Sequence, residues 1–277
     1  MASNSDIPER PAQLRRGDYG APSTADLRSP CPIVNALANH GYIPRDGRNV
    51  RSGEMYAAMA ELGASCTVRA TLTFGSYYEH HDQLEGGFWD FIRNPLTYVL
   101  GPFGLRDVNQ RDSEGVKCLN LNQLARHDAV EHDVSLSRRD HAQGDNCTSQ
   151  KDLVATIVSS STDSRYVSTT DFAALRVHRL QQQKQDNPSL NVGRTHLLTT
   201  SGQVAFLQTL FGGGFPRYRV PVSYMKALFE EERLPVREGW SKRVWISVGF
   251  LESLIQTQVL RRCIKRILRD EGLEYPR

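Results

Sequence analysis

The stretch Arg28-Ser29-Pro30-Cys31-Pro32-Ile33-Val34-Asn35-Ala36-Leu37-Ala38-Asn39-His40-Gly41-Tyr42-Ile43-Pro44-Arg45-Asp46-Gly47-Arg48-Asn49 decides how this chain is read. Proline suits the first position of a helix, where its missing N–H is not needed and its φ is already helical. Pro32 therefore predicts a short helix with Cys31 as its N-cap. Ile33, Val34, Leu37 and Ala38 recur at helical spacing, and Gly41 with Pro44 stops the helix after about two turns. A thiol at such an end faces free backbone N–H groups and the positive pole of the helix, and both favour thiolate. Cys31 is thus a candidate nucleophile or metal ligand; the alternative is a small buried hydrophobe.

The order Pro30-Cys31-Pro32, Asn35 to Tyr42, then Pro44 to Asn49 resembles the proximal-ligand signature of the fungal haem-thiolate peroxidases, the chloroperoxidase and unspecific peroxygenase family. The resemblance implies that Cys31 is the axial ligand of haem b iron, a thiolate that pushes electron density toward the metal and favours O–O cleavage. It also implies an all-α fold, a single mainly helical domain enclosing the haem. Long helical patterns without convincing strand alternation agree with that class independently.

A second match lies at Glu131-His132-Asp133-Val134-Ser135, similar to the family's Glu-His-Asp-x-Ser motif. In relatives with this motif, the carboxylate, the carbonyl of the His and the hydroxyl bind a cation, usually magnesium, beside a haem propionate. Glu131, His132 and Ser135 are the implied positions, and such an oxygen set suits a hard cation. The resemblance also turns the His132 ring toward the distal pocket. A third match, Glu232-Arg233-Leu234-Pro235 with Gly239-Trp240, closes a helix whose apolar face is Val222, Met225, Leu228 and Phe229, with Pro235 expected to end it.

The helix of about Arg194 to Leu210 departs from the family. Its run Ser201-Gly202-Gln203 to Phe211-Gly212 resembles the segment that carries the acid–base glutamate, but Gln203 stands in the glutamate's place. An amide has the same shape and hydrogen-bonds, yet it does not exchange a proton at neutral pH. Natural divergence and an engineered acid-to-amide exchange both account for it. His196 lies two turns earlier on the same face, so His196, His132 or both are the groups expected to supply the proton path.

The 277 residues suffice for a full core, and the formal charge of +3 does not mark a nucleic-acid binder. No apolar run approaches a membrane span, and the polar N-terminus has no secretory core, so an intracellular setting is expected. Five cysteines (31, 66, 118, 147, 263) are an odd number without zinc-type spacing, which predicts free thiols. Cys263, on a late helix, leaves a homodimer open.

Residues 1–20 read as a flexible lead-in, 21–245 as the haem-thiolate domain and 246–277 as a C-terminal amphipathic helix. That last helix sets an apolar stripe of Phe250, Leu251, Leu254, Ile255, Val259, Ile264, Ile267 and Leu268 against Arg261, Arg262, Lys265, Arg266 and Arg269. Its ordinary role is to pack the stripe and solvate the charge, so membrane association is not expected. Helices are also expected over Gly53 to Leu62 and around Leu121 to Ala125, along with a long one capped by Thr170 or Asp171 and ended by Asn187-Pro188. Gln181–183 are expected on its solvated face. The aromatic segment 71–108 is assigned mainly to core packing, with lining of a substrate channel as the alternative.

Three functions follow. The resemblance implies a haem-thiolate peroxygenase or peroxidase that uses hydrogen peroxide to oxidise a small organic substrate, within fungal secondary metabolism. Loss of the glutamate admits a redox-neutral haem enzyme for dehydration, isomerisation or cyclisation. A non-catalytic haem-binding protein is the third.

Overall fold

In the computed structural model, residues 14–81, 87–127, 129–187, 190, 192–244 and 247–274 are described. The first helix, α1 (Pro32–Asn39), starts where Pro32 fixes φ, with Cys31 extended at the N-cap. Every residue from Ile33 to Asn39 is buried, so α1 is wrapped on all sides rather than laid on a surface. Most of the expected lead-in lies outside the described residues. The described part is tied to α1: the N–H groups of Gly17 and Gly20 donate to the carbonyls of His40 and Asn39, both at 2.8 Å.

A two-stranded antiparallel ladder pairs β1 (Val50–Arg51) with β2 (Cys118–Leu119). Between them come α2 (Ser52–Ala60), which buries Met55, then α3 (Cys66–Ser76), α4 (Gly87–Arg93) and α5 (Pro95–Leu100). The aromatic segment departs from expectation. Tyr77 is buried and donates to the Val50 carbonyl at 2.9 Å, but Phe74, Trp89, Phe91 and Phe103 are exposed. The side chains of Phe88 and Tyr98 lie outside the described residues.

The helix expected at Leu121 is a single 3₁₀ segment, Leu121–Ala125, because the chain has just left β2 and the Leu121 N–H is taken by the Gly47 carbonyl. A long loop then runs to α6 (Lys151–Ser159). β3 (Tyr166–Ser168) pairs with β4 (Arg219–Pro221), and these two short ladders are the strands that periodicity missed.

α7 (Thr169–Asp186) is capped by Ser168, two residues before Thr170 and three before Asp171, the expected caps. The Ser168 hydroxyl accepts the Asp171 N–H and the Asp171 carboxylate accepts the Ser168 N–H, so Asp171 completes a capping box rather than serving as the cap. Gln183, expected in solvent, is buried and donates to Gln143 at 3.1 Å. Pro188 lies outside the described residues.

α8 (Arg194–Phe211) follows the expected range. α9 (Val222–Phe229) ends six residues before Pro235, because the Arg233 N–H returns to the Ala227 carbonyl and closes the helix first. Arg233 is clamped by Glu231 and Glu238, and Trp240 donates from its indole to the Leu210 carbonyl at 3.1 Å while lying against Phe211.

The last helix, α10 (Phe250–Asp270), packs against α7 and α8, but not by the whole expected stripe. Leu260, Ile264 and Leu268 are buried, whereas Phe250, Leu251, Leu254 and Ile255 are exposed. At that end Gln256 turns inward, donating to Gln208 at 2.9 Å and Thr169 at 3.0 Å, and this satisfied polar seam rotates the apolar residues outward. Cys263 packs against the core, and all five cysteines are free. Among the described residues no helix is long and apolar enough to cross a membrane.

Candidate active site

The cysteine sits in a loop made rigid by its neighbours. Asn35, one turn into α1, accepts from the Ser29 N–H (2.8 Å) and hydroxyl (2.9 Å) and donates back to the Ser29 carbonyl (2.8 Å). The Ser29 hydroxyl in turn accepts the Cys31 N–H at 3.2 Å. The Cys31 sulfur accepts from the backbone N–H groups of Ile33 and Val34, as a helix N-terminus provides. Burial outweighs them and pushes the thiol up, so the helix end alone does not produce the thiolate expected from sequence. A buried sulfur at a helix N-terminus with two backbone N–H donors aimed at it fits a metal ligand, and haem iron would be held here.

The second cluster joins three residues that are far apart in the chain. His132, from the loop before α6, lies with Nε2 3.0 Å from the side-chain amide of Gln203 in α8. The rings of His132 and His196 meet edge to face with centroids 5.1 Å apart. Helical spacing placed His196 and Gln203 on one face, and the resemblance turned His132 toward the same pocket; the fold sets the His132 ring against both.

Their protonation follows from their partners. His132 Nδ1 is 2.8 Å from the Asp133 carbonyl, which only accepts, so Nδ1 carries the proton. Burial lowers the His132 pKa and favours the neutral ring, leaving a lone pair at Nε2. The structure sets Gln203 Oε1 against Nε2, and a neutral ring is satisfied when the amide is turned over to present its NH₂. His196 is held by the same Asp133 carbonyl, and burial and its neighbour His132 push its pKa down to about 3. Its Nε2 is buried and has no hydrogen-bond partner.

Glu131 borders this cluster on the other side. Its side chain is 3% exposed; Oε2 lies 2.9 Å from His127 Nδ1, while Oε1 is buried without a partner. Burial raises the carboxyl pKa. An orphaned buried carboxylate oxygen fits a cation, and Glu131 Oε1, the His132 carbonyl and the Ser135 hydroxyl would hold it. Among the described residues no group of three or more His, Cys, Asp or Glu side chains has metal-holding geometry, so the oxygens of a backbone and a hydroxyl must complete the set.

The turn between Glu131 and Ser135 is held open by Val134, at φ 58°, unusual for a β-branched residue. Both of its backbone groups are satisfied: the N–H donates to Asp140 at 2.8 Å and the carbonyl accepts from Arg176. Arg179 Nε donates to the Ser135 carbonyl at 3.1 Å. Arg138, three residues on, reaches Glu232 beside α1 at 3.0 Å. One loop thus touches both the histidine–glutamine cluster and the surroundings of the cysteine. Sequence reading missed His127, Arg138, Asn35 and Glu232; only the position of Arg138, one turn after Ser135, offered a signal.

The model of the family "Peroxidase, family 2" matches residues 17–244, leaving α10 beyond its end. The chain is 36% identical over 128 residues to a chloroperoxidase of Leptoxyphium fumago, covering 46% of this chain and 27% of that one. It is 26% identical over 216 residues to an aromatic peroxygenase of Coprinellus radians, covering 77% and 74%. With a dothistromin biosynthesis peroxidase of Dothistroma septosporum it shares 25% over 200 residues, 70% of this chain and 44% of that one. The chain therefore spans only part of the length of these relatives. With a mainly helical fold, a cysteine at a Pro-capped helix start and a family match over most of its length, the chain belongs to the family 2 peroxidases.

Proposed function

We propose that this protein is a haem-thiolate peroxygenase or peroxidase in which His196, rather than a glutamate, exchanges the proton with hydrogen peroxide. The observation that carries the reading is the buried, unpartnered Nε2 of His196 beside the His132–Gln203 pair. Haem, when bound through Cys31, supplies an electron-rich iron for O–O cleavage. The chain supplies the rest. His196 Nε2 would take a proton from one oxygen of the bound peroxide and return it to the other, the proton relay that O–O cleavage at a bound haem requires. Gln203 holds peroxide by hydrogen bonds from its amide, and His132 fixes the orientation of that amide without changing protonation state.

Basicity supports this assignment. A histidine held near 3 is closer to a glutamate, about 4.3, than to a free imidazole, about 6.5. It is unprotonated at neutral pH and gives its proton up readily, as the family's carboxylate does. A cation at Glu131 and Ser135 would balance a haem propionate. The substrate is a small organic molecule, and the name of the Dothistroma septosporum relative favours a biosynthetic setting.

A redox-neutral haem reaction is the second reading, favoured by the amide at Gln203. Stopped-flow absorbance of the haem-loaded ferric protein with hydrogen peroxide separates the two. Reaction in the unmodified chain that falls roughly 10²–10⁴-fold in His196→Gln supports the proposal. Slow reaction in the unmodified chain, rescued by Gln203→Glu, overturns it. The thiolate signature of the reduced carbon-monoxide complex, present in the unmodified chain and lost in Cys31→Ala, tests the ligand itself.

A further inference from the structure

Behind the cysteine lies a charge pair that the peroxide chemistry does not use. The side chain of Arg138 is 1% exposed, among the largest wholly buried side chains of the protein. Its Nε donates to the Cys147 carbonyl at 2.8 Å, one Nη to the Ser137 hydroxyl at 3.0 Å, and the other to Glu232 at 3.0 Å. The same Glu232 oxygen accepts from the Asn35 side chain at 2.9 Å, and Asn35 is the residue that fastens the Ser29–Cys31 loop. The Glu232 carbonyl accepts from Asn39 at 2.9 Å, at the other end of α1. Glu232 itself sits at φ 47°, so the backbone is bent to deliver this carboxylate.

A buried guanidinium is costly and is retained where its charge or its geometry is needed. We propose that Arg138 and Glu232 are positioning residues for the cysteine ligand, a balanced charge pair that sets the reduction potential of the iron that Cys31 holds. The inference rests on Cys31 being that ligand. Arg138 and Glu232 reach the Cys31 loop through Asn35 and Ser29, and there a cation stabilises an anionic sulfur while an anion destabilises it. In a low-dielectric interior neither is screened well, so each offsets the other only while both are present.

The consequence is directional. A negative charge left alone stabilises ferric over ferrous iron and lowers the midpoint potential; a positive charge left alone raises it. Spectroelectrochemical titration of the haem-loaded protein is the test, applied to Arg138→Gln, Glu232→Gln and the double variant. Expected is a fall in Arg138→Gln, a rise in Glu232→Gln and a return toward the original value in the double variant. Each single shift is expected to be about tenfold in the redox equilibrium, or about 59 mV for a one-electron couple. A merely structural role would move both single variants the same way or leave both unchanged, and either result overturns the proposal. If Arg138→Gln does not bind haem, Arg138→Lys against Glu232→Gln decides: an unmoved Lys variant with a raised Gln variant supports it, and an unmoved Gln variant overturns it. Failure here with the carbon-monoxide signature intact leaves Cys31 as ligand; loss of that signature from the unmodified chain removes the ligand itself.

Discussion

His40 Nε2 accepts the backbone N–H of Leu234 at 3.1 Å, joining the end of α1 to the Glu-Arg-Leu-Pro run 194 residues later. Its other nitrogen lies 2.7 Å from the Gly17 carbonyl and must donate to it, which fixes the neutral tautomer. Two of the sequence matches are thereby stitched together by a single imidazole.

The pH dependence of that stitch has a definite sign. Burial lowers the His40 pKa below its ordinary value, so the unfolded chain binds the proton more readily than the folded one. The contribution is complete above about 6.5 and is lost as pH falls through the lowered folded value. Replacing His40 by Phe leaves the Leu234 N–H unpaired and is expected to cost about 1–3 kcal/mol. Thermal unfolding across this range checks both: the unmodified protein loses stability on acidification more steeply than His40→Phe.

Cation binding at Glu131 is expected to weaken as pH falls. Burial raises the carboxyl pKa, so protonation competes with the cation at a higher pH than for an exposed glutamate. Without a cation the sign for stability runs the other way: the folded state holds this proton more tightly, and raising pH above the ordinary value of about 4.3 destabilises it. Calorimetric titration with magnesium, and melting curves with and without it, test the pair. Glu131→Gln is expected to abolish the magnesium response.

Peroxide reactivity is expected to be flat with pH across neutrality. His196 is held down to about 3, so its Nε2 stays unprotonated until the medium approaches that value. A rate profile showing a step near 6.5, the ordinary histidine value, would contradict the assignment of His196 as the exchanging group. In Gln203→Glu the carboxylate faces His132 Nε2, and raising the His132 pKa there should introduce a new step on the neutral side.

The start of α7 offers a control remote from this chemistry. Ser168→Ala removes the cap and is expected to cost about 1 kcal/mol. That corresponds to a fall of roughly 2–4 °C in the melting temperature. Peroxide reactivity should be unchanged, because Ser168 and Asp171 satisfy each other and touch neither histidine.

Where the governing interactions are local, the sequence determined the outcome. Pro32 sets the helix start, the Glu-His-Asp-x-Ser run identifies the buried carboxylate, and the seven-residue spacing puts His196 and Gln203 on one helix face, because backbone geometry within a few residues is dictated by those residues. Tertiary structure decided everything that depended on a partner far along the chain. It brought His132 to Gln203, gave Glu232 to both Arg138 and Asn35, and turned Gln256 inward so that the apolar start of α10 faces out. It also set burial, which raises the Cys31 pKa, against the helix-end N–H groups that lower it, since the helix terminus is a local property but burial belongs to the whole fold. Propensity and period act over a turn or two; desolvation and charge pairing act through space, and the chain carries no local mark of which distant groups will meet.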